Sequence, residues 1–268
     1  MLKNITLGQY FPGSTIVHRL DPRIKLVMTI VYIAALFTAS GVWAYLLMFA
    51  VLVTSFALSR ISPKTVFRGV RPILIIITLT AILNIFFTQG EEIVFEVWVI
   101  TITREGLVSA AFMVSRLFML ITGTFLLTYT TSPIALTDGL ERMLNPLKKI
   151  KLPIHELAMM MSIALRFIPT LIEETDKIMS AQKSRGADFE TGGLIKRAKA
   201  IVPLIIPLFI SAFRRADELA IAMESRCYHG GEGRTRMKVL KTAMRDYIAL
   251  LLGAVVVVAV VLLGRVGI

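Results

Sequence analysis

IEETDKIMSAQKSRGADF (Ile172–Phe189) and FRRADELAIAMESRCYHGG (Phe213–Gly231) are two versions of one charged, amphipathic helical segment, and they decide how the chain is built. Setting Arg185 against Arg226 gives an offset of 41 residues, at which Asp176 meets Asp217, Ala181 meets Ala222 and Ser184 meets Ser225. Each copy then reaches a glycine, Gly186 or Gly230, where a helix C-cap is expected. A single cation in a last helical turn merely complements the helix macrodipole. Two arginines in the same Ser-Arg-small context, at the ends of a repeated helix, point to two equivalent sockets on a partner. The planar guanidinium suits bidentate plugging of a carboxylate-lined groove.

Around this pair, every apolar run between residues 131 and 245 is short and bracketed by charge. Leu157–Leu165 lies between Glu156 and Arg166, and Ala200–Phe213 lies between Lys199 and Arg214. Runs of that length are buried, re-entrant or interfacial rather than spanning. The expectation is a cytoplasmic or membrane-surface domain of three helices, about 133–148, 154–185 and 193–227. Pro169, Pro203 and Pro207 fall inside the two long ones and should kink them. Met159, Met160, Met161, Met179 and Met223 offer adaptable surface of the kind found at promiscuous interfaces. Packing among the three helices would use the same residues equally well.

The rest of the 268-residue chain is membrane-like. Hydrophobic residues make up 56% of it, the mean hydropathy is +0.74, and no soluble core of this size would need so much apolar surface. The net charge of +12 is gathered in particular loops and helix faces, as the positive-inside rule requires. No RNA-binding motif or zinc-ligand spacing accompanies it, so no nucleic acid is expected. One cysteine, Cys227, excludes an internal disulfide. The polar N-terminal residues do not fit a cleaved signal peptide.

Asp21-Pro22 caps and starts a first span, about 24–39. Ser40-Gly41 turns the chain into a second, about 43–59. The loop Arg60–Arg71 carries four cations and no acid, and should be cytoplasmic. A third span (72–87) leads to an acidic outside loop with Glu91, Glu92 and Glu96 and a β-like patch, VFEVWVITI. A fourth span (107–129) holds Arg116, which at membrane depth is a functional candidate or faces the helix bundle. The last span is about 247–264. The expected fold class is all-α: a polytopic membrane protein of about five transmembrane helices with a cytoplasmic three-helix coupling domain. The divisions are 1–130, 131–245 and 246–268, with the N-terminus inside and the C-terminus outside. The spans contain no Asp, Glu or His, which argues against a self-contained ion-coupled transporter. No Walker A sequence is present, so the chain alone would not hydrolyse ATP.

Taken together these residues resemble a family, the transmembrane T component of energy-coupling factor (ECF) transporters, ABC-type importers of vitamins and trace nutrients. The resemblance covers nearly the whole chain. Ser14 to Leu26, STIVHRLDPRIKL, is similar to the family's SxxHxLDPRxKL pattern. RFIP at Arg166–Pro169, AQKSRGADF at Ala181–Phe189 and Ser225-Arg226-Cys227 carry the rest. The family's short motifs are usually Ala-Arg-Ser or Ala-Arg-Gly, and this chain departs from them only in the small neighbours. The resemblance implies two ABC ATPase subunits docked on Ser184-Arg185-Gly186 and Ser225-Arg226-Cys227. It also implies a separate substrate-binding S component on the apolar side of the coupling domain, which the methionines would serve. His18, Leu20, Asp21, Pro22, Arg23, Arg166 and Pro169 would be structural motif residues. No cofactor or metal is expected in this chain, since ATP and Mg would be bound by the partner ATPases.

Two other readings compete. One is a T component dedicated to a single substrate such as cobalt, nickel or biotin. The other is an integral membrane lipid-head-group transferase, for which Glu173, Glu174 and Asp176 are the candidate acids, at a spacing that also suits a solvated helix face.

Overall fold

The computed structural model describes residues 10–88, 90, 92–97, 100–150, 153–189, 193–230 and 242–265. Glu91, Trp98, Val99, Gly231 and both chain ends, on which some expectations fall, lie outside the described residues. Among the described residues the chain is a succession of helices interrupted by one two-stranded hairpin. Its described residues divide into two compact units, one within 10–139 and 242–265 and the other within 140–230.

In the first unit α1 (Pro22–Thr38) starts as the sequence dictates. The Asp21 carboxylate accepts from the Arg23 N–H, and Pro22 occupies the first turn, where its missing donor costs nothing. Gly41, with φ +81°, makes the turn into α2 (Val42–Ser59). The third span begins earlier than its apolar run. The basic stretch after Arg60, expected as a loop, contains α3 (Pro63–Val70), then a 3₁₀ turn (Arg71–Ile73) and α4 (Leu74–Phe87). Val66, Phe67 and Val70 give α3 an apolar side despite its cations, and Val70 is buried. Gly69 meets Phe125 and Tyr129, an approach that leaves no room for a side chain. Strands β1 (Ile93–Val97) and β2 (Ile100–Thr103) pair antiparallel where the β-like patch was expected. The hairpin leads into α5 (Arg104–Thr130), capped by the Thr103 hydroxyl. α6 (Pro133–Leu144) follows, and α9 (Met244–Arg265) returns to pack along α1.

The core of this unit is where α1, α2, α5 and α9 meet, around Leu36, Met48, Met119 and Val260. Gly123 accepts the Tyr32 ring, and the Thr130 carbonyl accepts from Lys25, so α5 runs antiparallel to α1. That register brings Arg116 level with Phe37, one residue before α1 ends. Its Nε donates to the Tyr45 hydroxyl at 2.9 Å, and its guanidinium lies 5.9 Å and 5.8 Å over the rings of Phe37 and Tyr45. Arg116 thus faces the bundle, at the level where its neighbours turn. There an arginine has aromatic and hydroxyl partners and a short path to the interface.

The second unit holds a 3₁₀ segment (Asn145–Ile150) and two long helices, α7 (Ile154–Ser184) and α8 (Leu194–Glu224). Both run unbroken through their prolines, Pro169 in α7 and Pro203 and Pro207 in α8.

Among the described residues five helices are long and apolar enough to cross a membrane: Val42–Ser59, Pro63–Phe87, Arg104–Thr130, Ile154–Ser184 and Met244–Arg265. The expected count of five is met, with one exchange. α7 enters at the lowest hydropathy of the set, 1.3, against the expectation that its runs are too short. α1 is shorter than these five, yet it follows α9 from Asp21 beside Asp246 to Ser40 beside Gly264. Its 17 residues cover about 25 Å, close to the hydrocarbon thickness. The protein is an all-α polytopic membrane protein.

Candidate functional site

The ends of α7 and α8 share one hydrogen-bond pattern. At the first, the Ala187 N–H reaches back to the Gln182 carbonyl and the Gly186 N–H to that of Lys183, both at 3.0 Å, while Gly186 takes φ +88°. At the second, the Tyr228 N–H reaches the Met223 carbonyl at 3.1 Å and the Cys227 N–H that of Glu224 at 2.8 Å, while Cys227 takes φ +56°. Each is a Schellman cap, and every atom in one has its counterpart 41 residues on in the other. The serines match as well, Ser184 Oγ donating to the Ser180 carbonyl and Ser225 Oγ to that of Ile221.

This corrects one expectation. The left-handed cap of α8 is Cys227 and not Gly230, which also has positive φ but lies three residues further on. A β-carbon in that conformation costs about 1–2 kcal/mol, so the cap geometry holds at the second tip without the residue that makes it easy. Arg185 and Arg226 therefore occupy the same position relative to their helices. Both are exposed, and among the described residues neither has an ion-pair partner.

The two helices run antiparallel. Arg215 Nη2 meets Glu174 Oε2 at 3.1 Å, and Gln182 Nε2 reaches the Pro203 carbonyl at 3.5 Å, so contacts advance on α7 as they retreat on α8. Glu174 and Arg215 are themselves 41 residues apart, and each lies eleven positions before its tip arginine. Equivalent positions that touch lie beside a local twofold relation. The two tips then point away from one another, and eleven residues of helix on each side separate them by roughly 30 Å. Of the three acids considered for a transferase, Glu174 is engaged by this ion pair.

The methionines divide. Met160 and Met161 are exposed, while Met159, Met179 and Met223 are half-buried. The apolar run of α8, expected to be buried, re-entrant or interfacial, presents a longer surface than the methionines, with Ile201, Ile205, Ile206, Phe209, Ile210 and Phe213 all exposed. Their i, i+4, i+8, i+12 spacing puts them on one stripe, and the signal was present in the sequence as that periodicity. Arg166 and Pro169 are exposed on α7.

In the other unit the motif before α1 forms a polar knot. His18 is hydrogen-bonded to Thr15 Oγ1 at 2.7 Å and to the Phe11 carbonyl at 3.1 Å. Burial lowers its pKa, against the raising effect of the Phe11 carbonyl, which favours the neutral ring. Asp21 clamps Arg23 through both carboxylate oxygens, and Leu20 is half-buried beside it. Lys25 donates to the carbonyls of His18 and Thr130 and to Thr131 Oγ1. Asp246 was not anticipated. Its Oδ1 accepts from the Asp21 N–H at 2.9 Å and its Oδ2 from the Ala243 N–H at 2.7 Å, and it is 2% exposed. A lone acid at the threshold of the last apolar run was the available sign.

Over residues 13–237 the chain matches the family described as CbiQ, cobalt transport protein. It is 53% identical over 267 residues to the energy-coupling factor transporter transmembrane protein EcfT of Clostridium kluyveri, covering 99% of this chain and 98% of that one. The protein of the same description from Thermosediminibacter oceani is 54% identical over 92% of this chain and 93% of its own. That from Lactococcus lactis subsp. cremoris is 45% identical over 98% of each.

Proposed function

We propose, for a chain that belongs to the family of energy-coupling factor transporter transmembrane proteins, that it transmits ATPase closure to a substrate-binding membrane partner. The observation that carries this reading is the pair of equivalent tips. Two arginines in one cap geometry, related by a local twofold and about 30 Å apart, suit two like sockets on a pair of similar subunits. Two ABC ATPase subunits, holding ATP and Mg themselves, would each take one tip, Ser184-Arg185-Gly186 or Ser225-Arg226-Cys227. Closing the pair then pulls on both ends of an antiparallel helix pair joined at Glu174–Arg215.

The exposed stripe of α8, with Met160 and Met161 of α7, is the surface for the S component. Apolar groups at a membrane boundary serve exchangeable partners, which suits uptake of vitamins or other micronutrients through several S components. The chain itself is a non-catalytic subunit. In the cell membrane, the basic segment Arg60–Arg71, the coupling helices and the N-terminus face the cytoplasm, and the C-terminus faces outside.

Purification of the tagged chain from its native membranes in mild detergent is expected to bring down two nucleotide-binding subunits and one or more small membrane proteins. Phe209→Asp, which places a charge in the middle of the stripe, should keep the nucleotide-binding subunits. It should lose the membrane partner by on the order of 30-fold, the effect of removing a central interface anchor. Full retention of that partner would place its docking surface elsewhere.

A further inference from the structure

The unit that holds α1, α2, α5 and α9 contains a crevice of about 630 Å³ that the transport role does not use. α1 and α2 are joined tightly at Gly41, with Leu36 and Met48 buried where they meet, and α2 then stands away toward the Asp21 end. The space lies between Val51, Thr54 and Leu58 of α2 and Met28, Leu126 and Leu252 across from them. Leu58 is 49% exposed, so the crevice opens on the surface of the bundle.

Away from Arg245 its walls offer little to water. The hydroxyls of Thr29, Thr54, Ser55 and Thr130 are each spent on a carbonyl four residues back in their own helix. The Lys25 ammonium already has three acceptors. A water in such a space lacks the two to four polar partners it needs. A hydrocarbon chain fits the chemistry of these walls.

The end of the crevice nearest Asp21 is cationic. Arg245 lines it, Arg19 stands in the turn that supplies Val17 and Leu20, and Arg60 caps α2 two residues beyond Leu58. All three are exposed, and none has an ion-pair partner among the described residues. The acids nearby are committed, Asp21 to Arg23 and Asp246 to two backbone N–H groups. Basic groups at the mouth of an apolar interhelical pocket recognise anionic head groups. We propose that this crevice holds an acyl chain of an anionic phospholipid, with its phosphate gripped by Arg245, Arg19 and Arg60.

The test uses the full chain, purified in mild detergent and stripped of lipid. Phosphatidylglycerol, phosphatidylcholine and inorganic phosphate are added in turn, and binding is followed by native mass spectrometry and thermal unfolding. Phosphatidylglycerol is expected to bind and raise the unfolding midpoint, phosphatidylcholine to bind more weakly, and phosphate to do neither. Arg245→Gln and Arg19→Gln should each weaken phosphatidylglycerol roughly fivefold and phosphatidylcholine less, because choline already offsets the charge of its phosphate. Thr54→Trp, which fills the crevice from an exposed position, should remove both lipids and keep the helical circular dichroism of the parent. Equal binding of the two lipids, indifference to the arginine substitutions, lipid retention by Thr54→Trp, or a response to phosphate alone would each overturn the proposal.

Discussion

Arg185→Glu and Arg226→Glu are each expected to cut recovery of one nucleotide-binding subunit by 30-fold or more, and the double variant to lose both. The size follows from what is removed. A guanidinium held by a carboxylate-lined groove is worth about 2 kcal/mol or more, and a glutamate in its place adds repulsion. Lysine at either position should be intermediate, since it keeps the charge and loses the bidentate geometry. The protein's own fold should not register the change, because both side chains are exposed at helix tips. The thermal midpoint of the isolated chain is the control. Normal recovery of both subunits with the double variant would mean that the tips are not the docking points.

The largest effect on the fold is expected from Asp246→Ala. The side chain is 2% exposed and is the acceptor for two backbone donors, those of Asp21 and Ala243. Its removal strands both donors in a dry site, at about 1–3 kcal/mol each, and withdraws the negative charge that faces Arg23 and Lys25. A loss of about 2–5 kcal/mol corresponds to a fall in midpoint on the order of 10 °C in detergent, with poor yield from membranes. Asp246→Asn, which keeps one acceptor, should lose less. An unchanged midpoint for the alanine variant would show that the start of α9 is not held by this knot.

Much of the fold was legible because local chemistry and membrane patterning agreed. Asp21-Pro22 announces a helix start, Gly41 a reversal, and the apolar runs the spans. α3 was hidden by its own charge, since four cations in twelve residues read as a loop while the helix is held against α5 where Gly69 meets Phe125 and Tyr129 and Val70 is buried. The second cap was misplaced because glycine is the usual sign of a left-handed residue, and here the repeat imposes the geometry on Cys227. Asp246 was invisible as a site because its partners are backbone groups, which have no signature in sequence. The stripe on α8 was read as interior or interfacial, since periodicity shows that a face is apolar and not what covers it.

The central claim is that each arginine tip enters a socket on a nucleotide-binding subunit. Cys227 is the chain's one cysteine, exposed and next to Arg226, so it reports on the second tip without any substitution. The direct measurement is its rate of maleimide labelling, read from the intact mass of this chain, alone and in the purified complex. Ser184→Cys on a Cys227→Ser background reports on the first tip. The account predicts fast labelling of both tips in the isolated chain and strong protection of both in the complex. Equal rates in the two states, at both tips, would contradict it.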